Sequence, residues 1–285
     1  MYLKNTSISV NIKSLVFTSH KNAQKTSQYN LDPTAVSGWL DGVEPRRSTT
    51  ARLSGHGDFS EATFLNSRLV SFSGVAMAPD AGTLQNMRDT FVGTLGNGDY
   101  TEMSVTINGE TRYATVGIEG KPSWVIINDK NAIWKMDLYA PDPFIYGAEK
   151  TVQTGESITI GGLDYALSYP LDYHTTGLNS TQTVKNNGNA TAWPKFKVTG
   201  DYYRGFSIDN NLGDKVTYNG VVTLQAPVII DMAKGTATQN GVDKTILMTK
   251  REWFPIHAQE TIQPAFRPVD NGYGWCDIIF RDTYV

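Results

Sequence analysis

The chain has 285 residues, enough for about two domains. Hydrophobic residues make up 40% and charged residues 19%, which excludes a disordered chain. The net charge is -3, with 13 basic and 14 acidic residues up to Ile145 and 12 and 14 after it, so no segment concentrates the cations needed to grip nucleic acid by its phosphates.

In chain order, the start carries no charged stretch followed by an apolar core, so no signal peptide is expected. The longest apolar runs are a few residues, such as Val228-Ile229-Ile230, too short to span a membrane. Residues 8–12 alternate apolar and polar, and 69–77 do so over a longer stretch, which predicts strands. Residues 38–53 read as an irregular crossing. Residues 80–94 break the β pattern: Leu84, Met87, Phe91 and Val92 fall at helical spacing, with Asp80 or Thr83 as the cap. The glycine-rich stretch 93–98 follows the helix and precedes a strand, the reverse of a phosphate cradle, so it reads as a turn. Residues 103–107 and 111–116 flank Asn108-Gly109, the favoured two-residue hairpin turn. Strands at 124–127 and 133–139 follow.

Pro141 and Pro143 interrupt any ladder, and the strand pattern restarts at 156–160, which divides the chain into domains 1–145 and 146–285. The second half has no helical periodicity. Candidate strands fall at 181–185, 195–199, 205–208, 215–218, 221–224, 228–232, 236–239, 245–248, 260–263 and 275–280, a pattern that predicts a β-sandwich. The expected fold class is mainly β, with one helix in the first domain.

No active-site chemistry emerges. His20, His56, His174 and His257 are scattered and lack partners at zinc spacing. Cys276, the lone cysteine, sits inside a strand pattern as a small hydrophobe. The oxygen-rich stretch 209–214 lacks the distal Glu of a calcium loop and reads as a hairpin turn. Glu149, Glu156, Asp164 and Asp172 are glycosidase candidates by type alone. Tyr165, Tyr169, Tyr173, Tyr202, Tyr203, Tyr218, Trp253, Tyr273 and Trp275 could include sugar-stacking rings, though core or rim is the ordinary place for them. Trp193 before Pro194 reads as a core residue where a strand begins. No catalytic, cofactor-binding or metal residue is therefore assigned, no cofactor is expected, and the chain is read as no enzyme.

Three separated segments carry a family resemblance: Gly38-Trp39-Leu40-Asp41-Gly42 with the stretch from Arg46 to Phe59, then 134–143 ending in Ala-Pro-Asp-Pro, then 186–194 from Asn186-Asn187-Gly188 to Trp193-Pro194. With 195–200, 228–241 and Trp253-Phe254-Pro255-Ile256 behind them, the order resembles the distal tail protein of siphoviral phages. That resemblance implies a ring-forming first domain with a tube-protein-like β fold and a galectin-like second domain. It implies six copies around the tail axis, joining the tail tube to the tail tip or baseplate. The implied partners are further copies of itself, the tail tube protein, a tail-associated hub protein and receptor-binding proteins. DNA passes without specific binding, no membrane is involved, and the place is the virion tail tip after synthesis in the host cytoplasm. The hairpin at 103–116 is then expected to turn Glu102, Ser104, Thr106 and Glu110 toward the channel, with Arg112 as a basic exception. No long insertion marks an added carbohydrate module. The alternative is a carbohydrate-binding adhesion module, with a glycan-cleaving enzyme as a third class.

Overall fold

The computed structural model describes residues 7–19, 28–59, 62–155, 181–270 and 272–285. The chain forms two compact units, Met1–Ala148 and Glu149–Tyr284. It is mainly β, with one α-helix among the described residues.

The first unit contains β1 (Ile8–Ile12), β2 (Leu15–Thr18), β3 (Gln28–Leu31), β4 (Pro45–Arg47), β5 (Thr63–Leu65), β6 (Arg68–Met77), α1 (Ala81–Gly93), β7 (Thr101–Ile107), β8 (Glu110–Ile118), β9 (Ser123–Asn128), β10 (Asn131–Ala140) and the start of β11 (Ile145–Gly155). Seven strands run β8-β7-β1-β2-β3-β6-β10. β10 then pairs back to β8, Leu138 with Ile118 and Tyr139 with Gly117, so the sheet closes on itself and those strands lose their edges. Pairing is antiparallel except between β2 and β3. β4 and β5 form a separate ribbon, and β4 falls within 38–53, where the sequence suggested only an irregular crossing.

Alternation builds the core. Val10 and Ile12, Val70 and Phe72, Met103 and Val105, Trp134, Met136 and Leu138 all point inward. Phe17, Phe72 and Trp134 pack with ring centroids between 4.7 and 5.9 Å apart. Helix α1 begins at the Asp80 cap, whose carboxylate accepts from the Thr83 amide at 2.8 Å. Its buried stripe is Leu84, Met87 and Phe91; Val92 lies off that stripe and is exposed, contrary to the spacing-based expectation. Phe91 packs 5.7 Å from Trp134 and 5.5 Å from Trp124, and the Tyr29 hydroxyl donates to the Met87 carbonyl at 2.7 Å. Burial pushes the Tyr29 phenol up to about 12.

The second unit contains the rest of β11 and β12 (Val184–Lys185), β13 (Lys195–Gly200), β14 (Phe206–Asp209), β15 (Lys215–Tyr218), β16 (Val228–Asp231), β17 (Thr236–Gln239), β18 (Val242–Asp243), β19 (Met248–Arg251), β20 (Thr261–Ile262), β21 (Ala265–Pro268) and β22 (Gly274–Tyr284). One sheet runs β18-β17-β16-β13-β22-β11 and another β19-β15-β14-β21. They share one core: Phe196, Val198, Ile230 and Ile278 from the first, Phe206, Ile208, Val216 and Phe266 from the second. Two sheets over one core make a sandwich. Residues 221–224, expected as a strand, make only isolated bridges (Val222 with Tyr202, Thr223 with Ala226), because the chain turns there. Thr245–Leu247 is a 3-10 turn leading into β19. The restart expected at 156–160 lies outside the described residues.

Candidate functional surface

The outer face of β8-β7-β1-β2 is made mostly of hydroxyl and amide side chains, with Val16 an apolar exception. Strand register sets the rows. Thr111, Thr106, Ser9 and Thr18 lie side by side, then Tyr113, Ser104, Asn11 and Val16, then Thr115 beside Glu102. Thr106 and Thr111 share a hydrogen bond at 2.8 Å, and the Asn11 amide donates to Ser104 at 3.3 Å. Glu102 is the one charged side chain in these rows. The opposite parity (Val10, Ile12, Met103, Val105, Ala114, Val116) fills the core. A wall of this kind offers phosphate no cation to bind.

Two of the expected channel residues are corrected. Across the two-residue turn, Ile107 pairs with Glu110 and Val105 with Arg112, so Glu110 and Arg112 share the parity of the core side and leave the polar face. They pair with each other instead, at 2.8 Å. Asn108 and Gly109, at φ 52° and 88°, supply the left-handed pair that the turn needs.

The resemblance segments are structural clasps. Arg68, almost wholly buried, donates from Nη1 to the Gly38 and Asp41 carbonyls at 2.6 and 3.0 Å and from Nε to the Pro143 carbonyl at 3.0 Å. One guanidinium thus ties the Gly38–Asp41 turn to the Pro141–Pro143 corner. Burial lowers the Arg68 pKa, and the Asp41 carboxylate opposes that shift. Asp41 closes its own turn by accepting from the Gly38 amide at 2.8 Å. Gly38 sits at φ 75°, and a Cβ there would lie 1.8 Å from the Leu69 carbonyl oxygen. Asp142 accepts from the Phe144 amide and from the Tyr146 hydroxyl, at 3.1 and 2.5 Å.

In the second unit Asn186 is fully buried. Its Nδ2 donates to the carbonyls of Ala190, Ile256 and His257 at 2.7 to 3.1 Å. Its Oδ1 accepts from the amides of Gly188 and Thr283. Asp282 accepts from the Asn187 amide at 3.0 Å and pairs with Lys150 at 2.6 Å. Desolvation pushes the Asp282 pKa up, but bonds from Lys150 and Asn187 outweigh it and hold the carboxyl below its usual range. These contacts explain Asn186-Asn187-Gly188 without a ligand.

Other candidates disperse. His56 and His257 are exposed, while His20 and His174 lie outside the described residues. No three His, Cys, Asp or Glu gather into a metal site among the described residues. In 209–214, Asn210 Oδ1 accepts from the Leu212 and Asp214 amides, closing a turn. Glu149 is exposed; Glu156, Asp164, Asp172, Tyr165, Tyr169 and Tyr173 lie outside the described residues. Tyr202 and Tyr218 are core, Trp253 packs against the core, and Trp275 is half-buried. Tyr203 and Tyr273 are 70% and 63% exposed. Trp193, expected in the core, is exposed instead, because its neighbours Ala192 and Pro194 take the inward positions. Burial pushes the Cys276 thiol well up, which keeps it unreactive.

A closed barrel-like β unit with one helix, followed by a two-sheet sandwich, defines a two-part, mainly β fold. This fold is similar to that of a phage hub protein. The crystal structure of SPP1 Dit (gp 19.1), described as a paradigm of the hub adsorption apparatus in phages infecting Gram-positive hosts, matches with a TM-score of 0.61 at 13% identity, over 90% of this chain and 94% of that one. The phage P2 baseplate in its activated conformation with Ca matches at a TM-score of 0.46 and 10% identity, over 97% of this chain and 98% of that one. No family model matches the sequence. No curated protein matches it.

Proposed function

We propose that the chain is a structural hub of a phage tail tip. Copies associate through the first unit into a closed ring, six by the resemblance, joining a tail tube protein to a tail-associated hub protein. The second unit serves contacts with other tail components or receptor-binding proteins. The observation that carries this reading is the β8-β7-β1-β2 face, rich in hydroxyls and bearing a single carboxylate. Such a face suits a bore that DNA must cross without sticking. A non-enzymatic role goes with it. Electron microscopy of the purified assembly tests the reading: a closed ring with Ser104, Thr106 and Thr111 on the bore is expected. A monomer at high concentration, or a bore lined by Lys and Arg, overturns it.

One observation favours a second reading, an adhesion module. Tyr203 and Tyr273 stand exposed on neighbouring loops, joined where the Asp201 amide donates to the Tyr273 carbonyl at 2.9 Å, with Asp270 accepting from the Tyr203 and Arg204 amides. Exposed rings beside carboxylates can stack on sugar. Binding to host-wall glycan that is lost in Tyr203→Ala and Tyr273→Ala variants is the outcome that supports it.

A further inference from the structure

We infer that β9 is the edge through which one copy of this chain joins the next; this rests on the ring reading and names the surface that makes the ring. β9 pairs with β10 alone, and its other edge has no partner strand among the described residues. Edge strands of soluble proteins are ordinarily blunted by charge, proline or a bulge on the open side. Ser123-Trp124-Val125-Ile126-Ile127-Asn128 has no charge and no proline, and its one irregularity, a register shift at Ile127 where the β10 ladder steps from Ala132 to Asn131, leaves Ser123–Ile126 in regular pairing.

Both faces of the strand are apolar, the pattern of a strand covered on both sides. Trp124 faces the helix side and packs 5.5 Å from Phe91. Ile126 shares that face but reaches beyond the cover. On the other face, Val125 lies beside Ile133, and Ile133 beside Val75, so the apolar surface crosses three strands. Val75, Met77, Val125, Ile126, Ile127 and Ile133 are between 37% and 60% exposed. Without Ile126, which lies on the helix side, they present on the order of 400 Å², within the range for the largest patch of a monomer and about half of the ~800 Å² that each partner gives to a standard interface.

The occupant is a second copy. A closed ring needs two different surfaces on every subunit. The described first unit has open strand edges in two places: β9, and the β4–β5 ribbon, where Phe64 stands exposed. A chain with one such edge would stop at a dimer.

The test compares the parent chain with Val125→Asp/Ile127→Asp by native mass spectrometry across a concentration series, with Val242→Asp in the sandwich as the control. The double variant should melt like the parent, yet assemble about 100-fold more weakly or not at all, because ring formation would desolvate two carboxylates. The control should assemble like the parent. A second arm uses Ile127→Cys, since Cys276 is buried and silent to thiol reagents. The introduced thiol should react in dilute monomer and be protected in the assembly. A double variant that assembles normally, or an introduced thiol equally reactive in both states, overturns the assignment of β9 while leaving the ring intact. A parent chain that stays monomeric at every concentration overturns the ring reading and this inference with it.

Discussion

Replacing Arg68 with methionine should be among the most damaging single changes in the first unit. Methionine keeps much of the apolar stem but removes every donor. The carbonyls of Gly38, Asp41 and Pro143 then lose their partner in a region closed to water. Hydrogen bonds to a charged donor contribute about 1.5–3 kcal/mol each, and the guanidinium's own desolvation cost offsets part of the sum, leaving about 3 kcal/mol of net loss. For a unit of this size that corresponds to a fall of about 10 °C in Tm. Arg68→Lys keeps the charge but cannot fork to two directions, so it should recover only part of the loss. Thermal and urea melts followed by tryptophan fluorescence measure all three proteins, and the buried Trp39 beside the clasp reports its opening. If Arg68→Met melts within about 0.5 kcal/mol of the parent, the clasp holds nothing and its carbonyls are satisfied some other way.

Phe91→Ala should cost about 3–5 kcal/mol, because that ring is fully buried between Trp124 and Trp134; a urea melt showing little change would mean the helix is not held by this face. Asn186→Asp should destabilise the second unit more than Asn186→Ala, since it turns a carboxylate oxygen toward three carbonyls; differential scanning calorimetry ranks the two. The depressed Asp282 carboxyl contributes stability that is present above its unfolded pKa and lost as pH falls through the lower folded value, in a window below about pH 4. Asp282→Asn should therefore flatten the acid limb of stability against pH, and an unchanged slope would refute the assignment.

Local chemistry was legible in the sequence, and long-range closure was not. Asp80 and the 84–87–91 spacing mark α1 because a cap and a buried stripe are local features. Asn108-Gly109 marks the β7–β8 turn because only certain residues accept its backbone angles. The parallel pairing of β2 with β3 leaves no local trace, and neither does the return of β10 to β8. Arg68 looked like any strand arginine; its three carbonyl partners lie 27 to 75 residues away. The Asn186 segment was visible as a pattern, but its reason lies in Ile256, His257 and Thr283. The faces of Glu110 and Arg112 differ from expectation because a two-residue turn shifts which parity follows it. The run at 124–127 was legible as a strand but not as an edge, since an edge strand apolar on both faces has the composition of an interior one.

The order of strands in the larger sheet of the second unit also bears on synthesis. β22, the last strand of the unit in the chain, lies between β13 and β11 at the interior of its sheet. A growing chain therefore carries β13, with Phe196 and Val198 ready for the core, for about eighty residues before its neighbour exists. Until Tyr284 has left the ribosome and been threaded into place, two strands stand with bare backbone on the inner side. Nascent chains stalled before Gly274 should thus be ready substrates for chaperones and proteases, while the first unit, whose strands are all in hand by the start of β11, can already be closed.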